Sequence, residues 1–244
     1  MNPSAVEFRN VAFAYPDGTR ALNGVHFRIS AGESVGIVGA NGAGKSTLLL
    51  HMNGCLLPAS GEVRIGDLTL TARTRREIRR RVGLVFQNPD DQLFMPTVFE
   101  DVAFGPLNLG LDEPSVRRRV DDALDRVGGL ALRNKPPHHL SAGQKSAVAI
   151  AAVMAMGPDI LAMDEPAANL DPKARRSLIT LLATFGHTKI VASHDLDLIL
   201  DVCGRCLVIR DGAVVADGPS PEILSNRALL EENNLELPLS LQRR

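Results

Sequence analysis

Apolar and polar positions alternate at the start of the chain, and the period then changes. Val6 to Phe13 alternates as a strand does, Pro16-Asp17-Gly18 reads as a turn, and Val25, Phe27 and Ile29 alternate with polar residues. Ser34 to Val38 is a short apolar run of buried-strand type, and Thr47 to Met52 has helical character. Gly61 to Asp67 predicts another short strand and Val82 to Phe86 an apolar one. From Asn88 to Met156 the pattern turns helical. Pro114 to Val127 sets charged and apolar residues at helical spacing, and Ser141 to Met156 reads as a long Ala-rich helix. Alternation then returns: strand at Ile160 to Met163, helix at Pro172 to Phe185, strand at Lys189 to Ser193, helix at Leu196 to Cys203. Cys206 to Arg210 and Ala213 to Asp217 read as a hairpin around Asp211-Gly212, and Ser220-Pro221-Glu222 opens a last short helix. Strand–helix alternation predicts a parallel α/β core, and the run of helices in the middle predicts an inserted lobe.

Composition narrows the picture. The 244 residues suffice for one large domain or a domain with a lobe, and 45% apolar residues allow a sizeable core. A net charge of −1 gives no global attraction to nucleic acid. Arg73, Arg75, Arg76, Arg79, Arg80 and Arg81 cluster before one strand; without interleaved aromatics they read as a solvated helix face. Pro3, Glu7 and Arg9 interrupt any signal pattern at the start. The longest apolar run, Ala147 to Met156, falls short of the ~20 residues of a membrane span. The expectation is a soluble protein or one peripheral to a membrane. Three cysteines, an odd number, point to a reducing cytosol. Cys203-Gly204-Arg205-Cys206 has no second CxxC to complete a zinc site and is read as structural, as are the adjacent loop residues His138 and His139.

The chemistry concentrates in Gly39-Ala40-Asn41-Gly42-Ala43-Gly44-Lys45-Ser46-Thr47, which matches G-x-x-x-x-G-K-[ST] between a strand and a helix. A strand, a glycine-rich turn and a helix start form a nest of backbone N–H groups around an anion. A Cβ on these glycines is expected to push the phosphates away. Asn41, Gly42, Ala43, Gly44, Lys45, Ser46 and Thr47 are therefore expected to bind nucleotide. Lys45 supplies a point charge for the β- and γ-phosphates, and the Ser46 hydroxyl is placed for Mg²⁺. Ile160 to Met163 ends in Asp164-Glu165. Asp164 is expected to hold Mg²⁺, and Glu165, pointing elsewhere by strand alternation, to accept a proton from attacking water.

Further along come Leu140-Ser141-Ala142-Gly143-Gln144 at a helix start, Asn169-Leu170-Asp171-Pro172 after the acid pair, and Ser193-His194-Asp195 at a strand end. With the phosphate loop, Gln87 and Met163-Asp164-Glu165-Pro166, their order resembles the ATP-binding subunits of ABC transporters over nearly the whole chain. The resemblance implies a single ABC ATPase domain over residues 1–244: a RecA-like α/β core, an N-terminal antiparallel β-lobe, a helical lobe at about 88–156 and a short C-terminal extension at about 219–244. It implies ATP and Mg²⁺ as cofactors, Tyr15 stacking on adenine, Gln87 touching Mg²⁺ or its water, and His194 gripping the γ-phosphate. It makes Ser141, Ala142, Gly143 and Gln144 a site for the ATP of a second, head-to-tail copy, with Asp171 linking the two sites. Ala142 stands where the family usually has glycine and Ala147 where arginine is usual; the added methyl is expected to crowd the partner's phosphate.

The resemblance further implies membrane-spanning transporter subunits as partners, a peripheral place on the cytoplasmic face of the membrane, and no nucleic-acid partner. A non-transport ABC ATPase acting on nucleic acid is the rival from another class. The span between Thr47 and Ser141 lacks the sustained heptads that DNA-repair members carry there. Val85 to Phe94 and Thr97 to Pro106 look most like the energy-coupling-factor ATPases of cobalt and nickel importers, as does Leu235-Glu236-Leu237-Pro238. The expected cargo is cobalt, with nickel or a B vitamin as alternatives. Phe94 and Phe99 are expected to be exposed, forming an apolar groove for a partner's cytoplasmic helix.

Overall fold

A computed structural model describes residues 4–168 and 170–242; Asn169 of the Asn-Leu-Asp-Pro stretch and Pro3 lie outside them. The chain begins with strands β1 (Ser4–Ala14), β2 (Arg20–Ser30) and β3 (Ser34–Val38), then helix α1 (Lys45–Met52). Next come β4 (Ser60–Ile65), β5 (Leu68–Thr69), α2 (Arg75–Arg81) and β6 (Val82–Val85). The helices α3 (Val98–Asn108), α4 (Glu113–Arg126) and α5 (Ala142–Met154) follow. Then β7 (Ile160–Asp164), α6 (Pro172–Thr184), β8 (Thr188–Ala192) and α7 (Leu196–Val202) alternate. The chain closes with β9 (Arg205–Arg210), β10 (Ala213–Pro219), α8 (Ser220–Ser225) and α9 (Arg227–Glu232).

Two sheets result. One is antiparallel in the order β2-β1-β4-β5; the other runs β10-β9-β3-β8-β7-β6, parallel from β9 to β6 with β10 antiparallel at its edge. The parallel strands have no polar face because both faces are covered. On β7, Ile160 and Ala162 enter one core with α1 and the antiparallel sheet, while Leu161 and Met163 enter the other with α3 to α7. In the first core Phe8 stacks on Phe27, ring centroids 4.7 Å apart. Burying aliphatic and aromatic side chains of this size stabilises by about 1.5–3 kcal/mol each.

Three expectations change in detail. The strand after the phosphate loop stops at Ile65, because Gly66 turns at φ +58° and sends the chain into β5. The helix opened by Ser220 is not the last: Asn226 caps α9 by accepting from the Leu229 amide. Leu235 and Leu237 beyond it pack on the core. Phe99 is not exposed. It packs on the helical core and the Arg133 guanidinium covers its ring, 4.4 Å from the centroid.

The arginine-rich segment behaves as expected of a solvated face. Ile78 alone on α2 is buried, Arg81 pairs with Asp67 and Glu77, and Arg79 donates to the Gly54 carbonyl. Cys203 and Cys206 are both buried, and burial pushes each thiol up to about 12. No helix among the described residues is long and apolar enough to cross a membrane.

Candidate active site

The sheet order decides what meets. β3, β8, β7 and β6 are neighbours and parallel, so their C-terminal ends lie along one edge. From that edge emerge the phosphate loop, Ser193-His194, Asp164-Glu165 and Phe86-Gln87 respectively. Ligands of open α/β sheets bind at this edge.

The phosphate loop is held from within. Lys45 is buried, and its Nζ donates to the Gly39 carbonyl at 2.8 Å and the Ala40 carbonyl at 3.3 Å. Gly44 caps α1 at φ +109°, with no side chain on the first amides and no acid in the first turn. The helix start is therefore open to an anion. The glycines have reasons beyond a phosphate. A Cβ on Gly39 would lie 2.3 Å from the Ile209 carbonyl oxygen, and one on Gly44 2.5 Å from that of Ala21. The loop's own neighbours exclude those side chains; at Gly42 only the positive φ does. Asn41, Gly42 and Ser46 are exposed, while Ala43 and Thr47 are buried.

Asp164 faces this loop. Burial and, after it, the neighbouring Glu165 carboxylate push its carboxyl up, and they outweigh the opposing pull of the Ser46 hydroxyl and the Lys45 charge. Its Oδ1 is buried without a hydrogen-bond partner. An orphaned carboxylate oxygen beside a serine hydroxyl suits a hard cation. No group of three His, Cys, Asp or Glu side chains gathers among the described residues. Such a cation would therefore share its remaining positions with water and phosphate, as Mg²⁺ does.

Glu165 does point away from Asp164, but strand alternation is not the cause. β7 ends at Asp164, and Glu165 turns out of it at φ +46°, a conformation that costs a non-glycine residue energy. The turn delivers a buried carboxylate to the end of β8. Ser193 Oγ donates to Glu165 Oε2 at 2.9 Å, the His194 amide donates to Oε1 at 3.0 Å, and His194 Nδ1 lies 2.8 Å from Oε2. The Glu165 side chain is 8% exposed and that of His194 67%, so the ring faces outward from a fixed carboxylate. Asp195 caps α7 and takes a forked ion pair from Arg175 of α6. Burial raises the Asp195 carboxyl, but the Arg175 hydrogen bond and the Leu198 amide outweigh it and hold it below the usual range.

Tyr15 lies half-buried just past β1, its hydroxyl 3.0 Å from Thr47 Oγ1 and its ring edge-on to Phe13. The aromatic face is thus tied to the phosphate-loop helix. Gln87 is exposed at the end of β6. The loop after it is fixed to α5: Gln92 Nε2 donates to the Ala149 carbonyl at 2.8 Å, and Lys145 Nζ meets Asp90 at 2.6 Å.

Ser141, Ala142, Gly143, Gln144 and Asp171 do not join this edge; they form a face of their own. Ser141 and Gln144 cap each other at the start of α5, leaving Ser141, Ala142 and Gln144 exposed. Asp171 caps α6 by accepting from the Lys173 and Ala174 amides. The two helix starts touch: a Cβ on Gly143 would lie 2.9 Å from that of Ala174. Beside them opens a groove of about 1010 Å³ lined by Gln144, Ala147, Asp171 and Lys173. Sequence reasoning gave no role to Ser193, Arg175 or Asp195. The signal was present for two of them, which flank His194.

Comparison with known proteins gives the family and the fold. The sequence profile of the ABC transporter family matches residues 22–168. The chain is 51% identical over 238 residues to the energy-coupling factor transporter ATP-binding protein EcfA of Carboxydothermus hydrogenoformans, covering 96% of this chain and 88% of that one. Among solved structures it resembles cbiO1 from Clostridium perfringens, part of the ABC transporter complex cbiONQ. The TM-score is 0.83 at 38% identity, over 96% of this chain and 95% of that one. It also resembles a dimeric ATP-binding cassette in a post-hydrolysis state bound to ADP and Pi, with TM-score 0.80 at 30% identity over 88% and 98% of the two chains.

Proposed function

Because this chain belongs to the ATP-binding subunits of ABC transporters, of the energy-coupling-factor type, and is an ATPase, we propose that it powers import of a transition-metal ion, cobalt, through separate membrane subunits. The observation that carries the ATPase chemistry is the convergence of the phosphate loop, Asp164, Glu165 and His194 on one edge of the parallel sheet.

In this reading the loop amides and Lys45 bind the β- and γ-phosphates, and Tyr15 stacks on adenine. Ser46 and Asp164 hold Mg²⁺, with Gln87 on its water. When bound, the ion neutralises charge on the phosphates. Glu165 accepts the proton of the attacking water and His194 contacts the γ-phosphate. Catalysis is mainly placement and charge neutralisation. The face made by Ser141 to Gln144 and Asp171 closes the site of a second copy about a two-fold axis. Its neutral, exposed helix start suits a phosphate.

The exposed methyl of Ala142 lies on that face. Ala142→Gly is expected to raise ATP-induced dimerisation or ATP turnover, measured by gel filtration with ATP and by phosphate release. Unchanged values in both assays would show that the loop absorbs the methyl.

A cytoplasmic helix of a membrane subunit is placed in the apolar patch beyond Gln87, and the chain sits peripherally at the cytoplasmic face. Phe94, 62% exposed, meets Phe104, 43% exposed, edge-on at 5.2 Å. The buried Asp101 carboxylate supports the loop beneath by accepting from the Phe94 and Met95 amides. The cargo rests on the likeness of residues 85–106 to cobalt and nickel systems and on the similarity to cbiO1. With the native membrane partners in vesicles, ATP-dependent Co²⁺ accumulation is expected. Uptake of a vitamin and not of Co²⁺ or Ni²⁺ would overturn the metal assignment and leave the ATPase standing.

A further inference from the structure

The hydrogen bonds around Glu165 do not stop at His194. Glu165 Oε2 accepts from Ser193 Oγ at 2.9 Å, and Ser193 Oγ accepts from the Asp195 amide at 3.0 Å. The Asp195 carboxylate is gripped by Arg175, Nε to Oδ2 at 2.8 Å and Nη2 to Oδ1 at 3.1 Å. Arg175 stands one turn into α6, and its amide donates to the carbonyl of Asp171, the residue that starts that helix. The forked pair is planar and directional, unlike a contact between point charges. Both side chains are nearly three-quarters covered, so solvent screens them less than a surface pair. The path therefore runs without a gap from the face that carries Asp171 to the carboxylate of Glu165.

We propose that Arg175 is a positioning residue: its ion pair with Asp195 makes the start of α6 and the Ser193–Asp195 segment move as one body, so that contacts made at Asp171 set the placement of Glu165 and His194. This rests on the assignment of Glu165 and His194 to the hydrolytic step. The rival is a purely structural pair that fastens α6 to α7 and has no bearing on turnover.

The two differ in what they move. A structural pair changes the melting temperature and leaves turnover per folded molecule alone. A positioning pair changes kcat with little effect on ATP affinity, since Lys45 and the loop amides are remote from it in the hydrogen-bond pattern. The variants are Arg175→Ala, Arg175→Lys, Asp195→Asn and the double variant Arg175→Ala/Asp195→Asn. Asparagine keeps the cap on α7, since its oxygen can still accept from the Leu198 amide, and loses the charge and the second acceptor of the fork. The measurements are kcat, KM and the Kd of a fluorescent ATP analogue on the full-length chain, with the melting temperature of each variant.

A misplaced base lowers turnover steeply, so kcat is expected to fall about tenfold or more in Arg175→Ala and Asp195→Asn, with Kd within about twofold. Arg175→Lys should recover part of the loss. The double variant should be no slower than the slower single, because both remove one interaction. Wild-type kcat in the folded single variants, or losses that multiply in the double, would overturn the proposal. Glu165→Gln is run alongside. If that variant turns over normally, the base assignment fails and takes this inference with it. If it is inert while Arg175→Ala is normal, only this inference fails.

Discussion

Glu165→Gln is expected to bind ATP as the native chain does and to hydrolyse it about 10²-fold or more slowly. The substitution keeps the volume of the side chain. A glutamine oxygen in the place of Oε2 can still accept from Ser193 Oγ and from the His194 amide, which lies 3.2 Å from it, so the turn at φ +46° stays tied to the end of β8 although the Oε1 acceptor is lost. What is lost is the capacity to take a proton from water. Nucleotide then remains bound, and dimers are expected to accumulate with ATP. Phosphate release and gel filtration check the two halves of the result. Near-normal hydrolysis would show that another group is the base.

Lys45→Ala is expected to fail at the earlier step. The ammonium has three donors, and two of them hold the Gly39 and Ala40 carbonyls inside the loop. One further proton and the whole charge are left for a phosphate. Alanine removes both the internal support and the charge, so ATP affinity should drop along with turnover. Loss of one preorganised electrostatic contact costs about 10²–10³-fold in rate. Arginine is no substitute in a position 8% exposed, because its planar fork is larger and differently aimed. Binding of a fluorescent ATP analogue separates the two variants: retained for Glu165→Gln, weakened for Lys45→Ala. Native affinity in Lys45→Ala would remove the loop from the nucleotide site.

Much of this was legible beforehand, for identifiable reasons. The parallel core showed because strands buried on both faces read as unbroken apolar runs, as at Ile160 to Met163 and Ser34 to Val38. The antiparallel lobe showed through the alternation of Val25, Phe27 and Ile29. The loop showed because glycine spacing is read directly, although the clashes that Gly39 and Gly44 avoid lie with Ile209 and Ala21, far off in sequence. The turn at Glu165 was not legible, since no local residue type announces a glutamate at positive φ. Nor was the covering of Phe99 by Arg133, which depends on how α3 meets the segment after α4. The pairing of Arg175 with Asp195 escaped for the same reason: both look like solvated charges until two helices are set side by side.

The strand order also fixes when activity appears as the chain folds. β3 pairs with β8 and β9, so Ser34 must find Lys189 and Val35 must find Arg205 across most of the polypeptide. Contacts so distant in sequence form slowly, because the entropy of closing the intervening loop is spent before they reward it. The phosphate loop is made early in synthesis, yet Ile209, which shapes Gly39, and His194, which pairs with Glu165, are made late. A nascent chain therefore carries its nucleotide motif long before it has a nucleotide site, and competence to hydrolyse ATP arrives with the last strands of the sheet.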